Sequence, residues 1–213
     1  MPRIKIAPSI LSADKSKINV EIKKVEKYSD LIHIDIMDGI FVPPTTVDAN
    51  FVKTIKTKIP LDVHLMVHDP TDSYIKGFID AGADSITVHE EACINSMHQI
   101  DFIKKNKIKA AISIKPKTPL EKIKKYLDMV DMVLIMTVEP GWAGQKFIDS
   151  TMPKVKELRR LNPNIDIEVD GGINPFTARI AYDEGANVFV AGTSIFGKKD
   201  RAAAIKEILD SLK

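Results

Sequence analysis

The feature that most limits how this chain can fold is an alternation of short β-rich runs with amphipathic stretches, repeated eight times. The β-rich runs fall at 4–9, 31–37, 61–67, 85–89, 110–114, 132–138, 165–170 and 187–191. Helical stretches are predicted at 17–27, 51–56, 71–81, 96–105, 119–127, 152–161, 175–184 and 201–212. Strands alternating with helices at this spacing imply parallel strands joined by right-handed crossovers. Eight such units are the number that closes a barrel, so the expected fold is α/β, a single-domain (β/α)8 TIM barrel spanning 1–213. An open, doubly wound sheet is the architectural alternative. Ala81-Gly82-Ala83-Asp84 and Glu184-Gly185-Ala186-Asn187 resemble each other, as two helix C-caps leading into strands would.

A chain of 213 residues buries enough surface to need no disulfide, and its one cysteine, Cys93, cannot form one internally. This suits a reducing cytoplasm. The net charge is +2, with basic and acidic residues interleaved, so no nucleic-acid footprint is present. No apolar run approaches the 18 residues of a membrane span, and 1–11 lacks the apolar core of a signal peptide. A small-molecule partner is expected, with neither nucleic acid nor membrane.

Barrels carry function at the C-terminal ends of their strands. Side chains alternate across a strand. In the second run, Ile32, Ile34 and Ile36 suit the helix-facing side, so His33, Asp35 and Met37 point into the barrel. The third run puts Asp62, His64 and Met66 on one parity, and the seventh ends Glu168-Val169-Asp170. One buried histidine is more often a hydrogen-bonded core residue than a ligand, and one inward aspartate could pair with a lysine. Two imidazoles and two carboxylates converging on one mouth, His33, Asp35, His64 and Asp170, instead suit Zn²⁺ or a similar divalent ion. His89, ending the fourth run, shows no alternating acidic partner and reads as structural, or as standing behind the ligands. Met37, Met66 and Met136 are each ordinary core filling when taken alone; around one mouth they would form an apolar lid. Glycine-rich segments follow the last three runs: Gly141-Trp142-Ala143-Gly144, Gly171-Gly172 and Gly192-Thr193-Ser194. Such segments let backbone N–H groups approach an anion, and barrels often hold a phosphate after strands seven and eight.

The strings Ala7-Pro8-Ser9-Ile10-Leu11-Ser12-Ala13-Asp14, His33-Ile34-Asp35-Ile36-Met37-Asp38-Gly39, Asp62-Val63-His64-Leu65-Met66-Val67 and Glu168-Val169-Asp170-Gly171-Gly172-Ile173 closely resemble the ribulose-phosphate 3-epimerase family. The likeness runs from Lys5 to about Lys198. It implies interconversion of ribulose 5-phosphate and xylulose 5-phosphate. It implies one divalent ion per chain, zinc first, with iron, manganese or cobalt as alternatives. Its ligands would be His33, Asp35, His64 and Asp170, with Asp35 and Asp170 also the acid/base pair. Ser9 and His64 would contact substrate, the three methionines would cap the enediolate, and the loops at Gly141–Gly144, Gly171–Gly172 and Gly192–Ser194 would hold the phosphate. A homo-oligomer, dimer or hexamer, is expected. Glu139, Trp142-Ala143, Lys115-Pro116, Pro44 and Thr193-Ser194 depart from the family's usual residues. The region around Met136 and Trp142 also resembles allulose-6-phosphate 3-epimerase, which runs the same chemistry on a longer sugar. The orotidine-phosphate decarboxylases and hexulose-phosphate synthases carry Asp-x-Lys-x-x-Asp on strand three, and Asp62–Val67 lacks that lysine and second aspartate. A non-catalytic phosphosugar-binding protein would leave both carboxylates surplus.

Overall fold

The structure is a computed structural model that describes residues 2–213; Met1 lies outside the described residues. Eight strands form one parallel sheet: β1 (Lys5–Pro8), β2 (Ile32–Met37), β3 (Leu61–Met66), β4 (Ser85–His89), β5 (Lys109–Ile114), β6 (Met132–Met136), β7 (Asp166–Asp170) and β8 (Val188–Ala191). Pairing runs in the order β1-β8-β7-β6-β5-β4-β3-β2. The sheet curls so that its first and last strands meet. Asp30 N donates to Ile6 O (2.9 Å), and a parallel bridge joins Ser9 to His33. The expected single-domain (β/α)8 barrel is therefore the fold, and each strand lies within one or two residues of its expected place.

The helices are α1 (Ile18–Val25), α2 (Ala49–Lys53), α3 (Asp72–Asp80), α4 (Ser96–Lys105), α5 (Met152–Leu161), α6 (Pro175–Asp183), α7 (Thr193–Phe196) and α8 (Arg201–Ser211). Asp48, Thr71, Asn95, Asn174 and Asp200 cap α2, α3, α4, α6 and α8, each side chain accepting a backbone N–H of the first turn. The isoleucines and valines on the outer parity of the strands pack beneath these helices as the main core. No helix among the described residues is long and apolar enough to cross a membrane.

Two expectations need correction. The helix predicted at 119–127 is instead two 3-10 turns, Leu120–Lys122 and Lys124–Tyr126. Of its buried residues Leu120, Ile123, Tyr126 and Leu127, the first three recur every three positions, and residues three apart eclipse in a 3-10 turn, so these reach the core without an α-helix. The third glycine loop also contains a helix, α7, that its composition did not signal.

The N-terminal rim of the barrel is held by one device used four times. Asp84, Asp131 and Asn187 immediately precede β4, β6 and β8, and Asp30 stands two residues before β2. Each donates its backbone N–H to a carbonyl at the start of the preceding strand: Ile6, Leu61, Ala110 and Ile167 (2.8–3.0 Å). Each side-chain oxygen accepts the N–H of that same residue, at 2.9, 2.8, 2.9 and 2.9 Å respectively. The likeness between the turns at Gly82 and Gly185 is half of this repeat. Each clamp gives a partner to a rim N–H that strand pairing leaves over, and so fixes strand register. Asp84→Ala and Asp30→Ala are each expected to cost about 1–3 kcal/mol, because each strands a backbone donor. Urea denaturation checks this, with the exposed Asp210→Ala expected to change stability by less than about 0.5 kcal/mol.

Candidate active site

Register decides which side chains meet at the C-terminal mouth. Parallel pairing sets His33 beside Asp62, Asp35 beside His64, Met37 beside Met66, and Met136 beside Asp170. Inward parity then stacks the polar groups in two layers. The upper layer holds Asp35, His64 and Asp170, with the Nε2 edge of His33. The lower layer holds Asp62 and Glu168.

In the upper layer His64 Nδ1 lies 3.1 Å from Asp35 Oδ1 and 3.9 Å from Asp170 Oδ2, and His33 Nε2 lies 3.4 Å from the same Asp35 oxygen. One donor atom from each of His33, Asp35, His64 and Asp170 lies within 4.8 Å of all the others. Donors arranged tetrahedrally around zinc, with bonds of about 2.1 Å, sit about 3.4 Å apart. The cluster therefore has the spacing of a cation site. His33 Nε2 is buried and makes no hydrogen bond, while its Nδ1 is held by Asp62 Oδ2 at 2.7 Å. This is how a ligating histidine is usually arranged, with one nitrogen tied to a carboxylate and the other free. The residues thus fit a divalent metal, and their mix of nitrogen and oxygen donors suits zinc and its first-row neighbours.

The electrostatics divide the carboxylates. Burial pushes Asp35 up, but the neighbouring imidazoles of His33 and His64 outweigh it and hold the group well below the usual carboxylate range. Burial, and then the charge of Asp35, raise Asp170 to about 6. Burial works against a charged His33, yet Asp35 and Asp62 keep it well above an ordinary imidazole. Burial, and then the charge of Asp62, push Glu168 well above the usual carboxylate range. Asp62 is held low, against its burial, by His33 and Ser85.

A cleft opens above this cluster. Its lining includes Ser9, Asp35, Met37, Met66, Met136, Gly141, Trp142, Ala143, Gly144, Asp170, Gly171, Gly172, Gly192 and Thr193. The structure thus brings together nearly all the residues expected from sequence. His33 and His64 lie fully buried. Ser194 does not line the cleft, and its hydroxyl is buried without a partner. Ser9 Oγ donates to Asp35 Oδ2 at 2.6 Å, so it orients that carboxylate as well as facing the cleft. Met37 and Met66 pack with Val42, and Met136 packs with Leu134 and Val138.

Glycine is required where the loops after β6 and β7 touch. A Cβ on Gly171 (φ +119) would meet Val138 Cγ2 at 2.4 Å, and one on Gly172 (φ +66) would meet Phe147 N at 2.6 Å. Thr137 Oγ1 fastens the two loops by donating to the carbonyls of Asp170 (2.8 Å) and Gly171 (2.7 Å). At the tip, Gln145 Nε2 donates to the carbonyls of Glu139 (2.6 Å) and Trp142 (2.9 Å), leaving the Trp142 ring 63% exposed beside the cleft.

Several site residues escape sequence reasoning. Asp62 and Glu168 share the inward parity of His64 and Asp170 but lie two residues deeper, so the alternation itself was their signal. Ser12 lines the cleft beside Gly192 with a buried, unpartnered hydroxyl. His89 does have an acidic partner, just beyond the strand: Glu91 Oε2 lies 3.3 Å from its Nδ1, while its Nε2 faces His64 Nε2 at 2.8 Å.

A parallel eight-stranded barrel with a histidine–aspartate cluster at its C-terminal mouth defines a barrel enzyme whose chemistry is carried on side chains at the strand ends. The family model described as the ribulose-phosphate 3 epimerase family matches residues 5–196. A ribulose-phosphate 3-epimerase from Bacillus subtilis is 48% identical over 216 residues, covering 98% of this chain and 99% of that protein. A chloroplastic ribulose-5-phosphate-3-epimerase from Arabidopsis thaliana is 44% identical, covering 95% of this chain and 75% of that protein. Among solved structures, 3-hexulose-6-phosphate synthase from Salmonella typhimurium superposes with a TM-score of 0.77 over 98% of each chain, at 21% identity, a likeness of fold alone. The chain belongs to the ribulose-phosphate 3-epimerase family and is an isomerase.

The raised Asp170 carboxyl has a consequence for stability in the metal-free chain. Its folded value lies above its unfolded one, so its contribution to stability is fully present below about pH 4 and is lost as pH rises through about 6. Asparagine mimics the protonated form at every pH. The stability of Asp170→Asn relative to wild type, both metal-free, is therefore expected to increase between pH 4 and pH 8 by on the order of 2–3 kcal/mol. Urea melts at the two pH values measure this.

Proposed function

We propose that this chain inverts C3 of D-ribulose 5-phosphate to give D-xylulose 5-phosphate, and the reverse, by proton transfer between substrate and the two aspartates, Asp35 and Asp170. The observation that carries the reading is the pair of carboxylates facing one cation-sized cluster, in environments that push their proton affinities apart. Family membership and the names of the curated relatives support the pentulose phosphate as substrate.

The C3 proton next to a ketone is weakly acidic. A divalent ion held by His33, Asp35, His64 and Asp170, zinc first among the candidates, would stabilise the negative charge that its removal leaves on the sugar oxygens. Inversion needs a proton carrier on each face. One ionised aspartate takes the C3 proton, the C2 carbonyl becomes an enediolate, and the other aspartate, protonated, returns a proton to the opposite face. The roles exchange with direction. An ionised Asp35 beside a protonatable Asp170 matches this division. Ser9 steadies Asp35 through its 2.6 Å hydrogen bond. Met37, Met66 and Met136 exclude water from the enediolate, which strengthens each charge's influence on its neighbours.

The phosphate would be held by backbone N–H groups of Gly172, Thr193 and Ser194, with Gly144 nearby. The first N–H groups of a helix such as α7 lack partners within it. Neither lysine nor arginine occurs within Gly141–Gly144, Gly171–Gly172 or Gly192–Ser194, so backbone dipoles would supply the grip. The same reading makes the protein a cytoplasmic enzyme that assembles as a homo-oligomer, dimer or hexamer, and binds neither nucleic acid nor membrane.

Asp35→Asn and Asp170→Asn are each expected to lower kcat by at least about 10⁴-fold, because one carrier cannot serve both faces. In deuterium oxide each variant should retain at most slow exchange of the C3 proton, and of opposite epimers. Steady-state assay and NMR of the recovered sugar read both quantities. A variant that keeps more than about a tenth of wild-type turnover with metal bound, against the expected loss, would show that a water or another side chain carries that proton.

A further inference from the structure

The mechanism leaves His89 and Glu91 without a role. His89 is fully buried at the end of β4, and its Nε2 lies 2.8 Å from Nε2 of His64. Its other nitrogen, Nδ1, lies 3.3 Å from Glu91 Oε2, and the second oxygen of Glu91 accepts Lys115 N at 2.7 Å. Two imidazole nitrogens this close need one proton between them, since two lone pairs repel and two N–H groups collide.

Which nitrogen carries it follows from the other side of His64. The atom of His64 that faces Asp35 and Asp170 is Nδ1, at 3.1 Å and 3.9 Å. A metal ligand must present a lone pair there, and a neutral imidazole has one N–H. The His64 proton then belongs on Nε2 and is donated to His89 Nε2. The His89 proton belongs on Nδ1 and points at the Glu91 carboxylate. His33 is set the other way round, with Nδ1 tied to Asp62 at 2.7 Å and Nε2 free. The two histidines thus need opposite tautomers. A carboxylate enforces one of them directly; the other is enforced by a carboxylate acting through a second imidazole.

We infer that His89 and Glu91 are positioning residues that hold His64 in its Nε2–H tautomer and so present its Nδ1 lone pair to the metal cluster. The inference rests on the metal reading above.

Zinc uptake by the metal-free full chain, with competition by a chelator, separates the two ideas, and two-bond ¹H–¹⁵N spectra of the zinc-loaded protein read the tautomers. Wild type is expected to take up one zinc, with His64 protonated at Nε2 and ligated through Nδ1. His89→Phe, which keeps a ring but no acceptor, is expected to weaken zinc binding about 10–100-fold. His89→Gln, whose side-chain oxygen can accept the His64 proton, is expected to recover most of that loss, which simple loss of packing would not produce. If wild type takes up no zinc, the metal reading itself falls. If wild type binds zinc and His89→Phe binds it equally well, or if His64 carries its proton on Nδ1, the positioning role is overturned. Should His89→Phe fail to fold, the wild-type spectrum and His89→Gln decide the matter.

Discussion

Four carboxyl groups and three imidazoles share the interior of this barrel, and none is tolerable there without the others. Moving one isolated charge into such surroundings costs several kcal/mol even after relaxation. Here neighbours compensate them: Asp35 by His33 and His64, and Asp62 by His33 and Ser85, while Glu168 is pushed well above the usual carboxylate range. This mutual dependence explains why the cluster is layered. In the lower layer Asp62 sets His33 through its 2.7 Å contact, and the upper group is left with an unpartnered nitrogen and two carboxylates facing the cleft. It also explains why the two aspartates differ. Asp35 has two histidines and Ser9 beside it, whereas Asp170 faces mainly burial and the charge of Asp35.

That arrangement needs strands held in register, because a slip of one residue would turn every ligand toward the helices. The four clamps at the N-terminal rim supply this at the opposite end from the chemistry. Asp30, Asp84, Asp131 and Asn187 tie each odd strand to the even strand that follows it, through backbone and side chain together. At the C-terminal end the contact between the loops after β6 and β7 is tight, and there glycine stands where any side chain would clash.

Much of this is legible in the sequence because strand alternation has a period of two. His33 with Asp35, and His64 with Met66, declare their face as soon as the isoleucines and leucines between them are assigned to the helices. The same rule reaches Asp62 and Glu168, but whether an inward acid lies at the mouth or one step below depends on where the strand ends, which composition does not fix. His89 and Glu91 obey the alternation as well. Their pairing is hidden because Glu91 falls outside the strand. The segment at 119–127 misleads for a different reason: apolar residues three apart satisfy an α-helix and a 3-10 turn alike, and packing decides between them. Of the clamps, only the likeness of the glycine turns before Asp84 and Asn187 shows in the sequence, where it reads as a pair of helix C-caps; Asp30 and Asp131 follow turns of other kinds.

The central claim is that the inward quartet is one cation site shared by both proton carriers. Anomalous diffraction at the zinc edge, from crystals of the zinc-loaded protein, tests it most directly. A single strong peak is expected about 2.0–2.2 Å from His33 Nε2, Asp35 Oδ1, His64 Nδ1 and Asp170 Oδ2. A peak at another place in the barrel, or one that leaves either aspartate outside bonding distance, would contradict it.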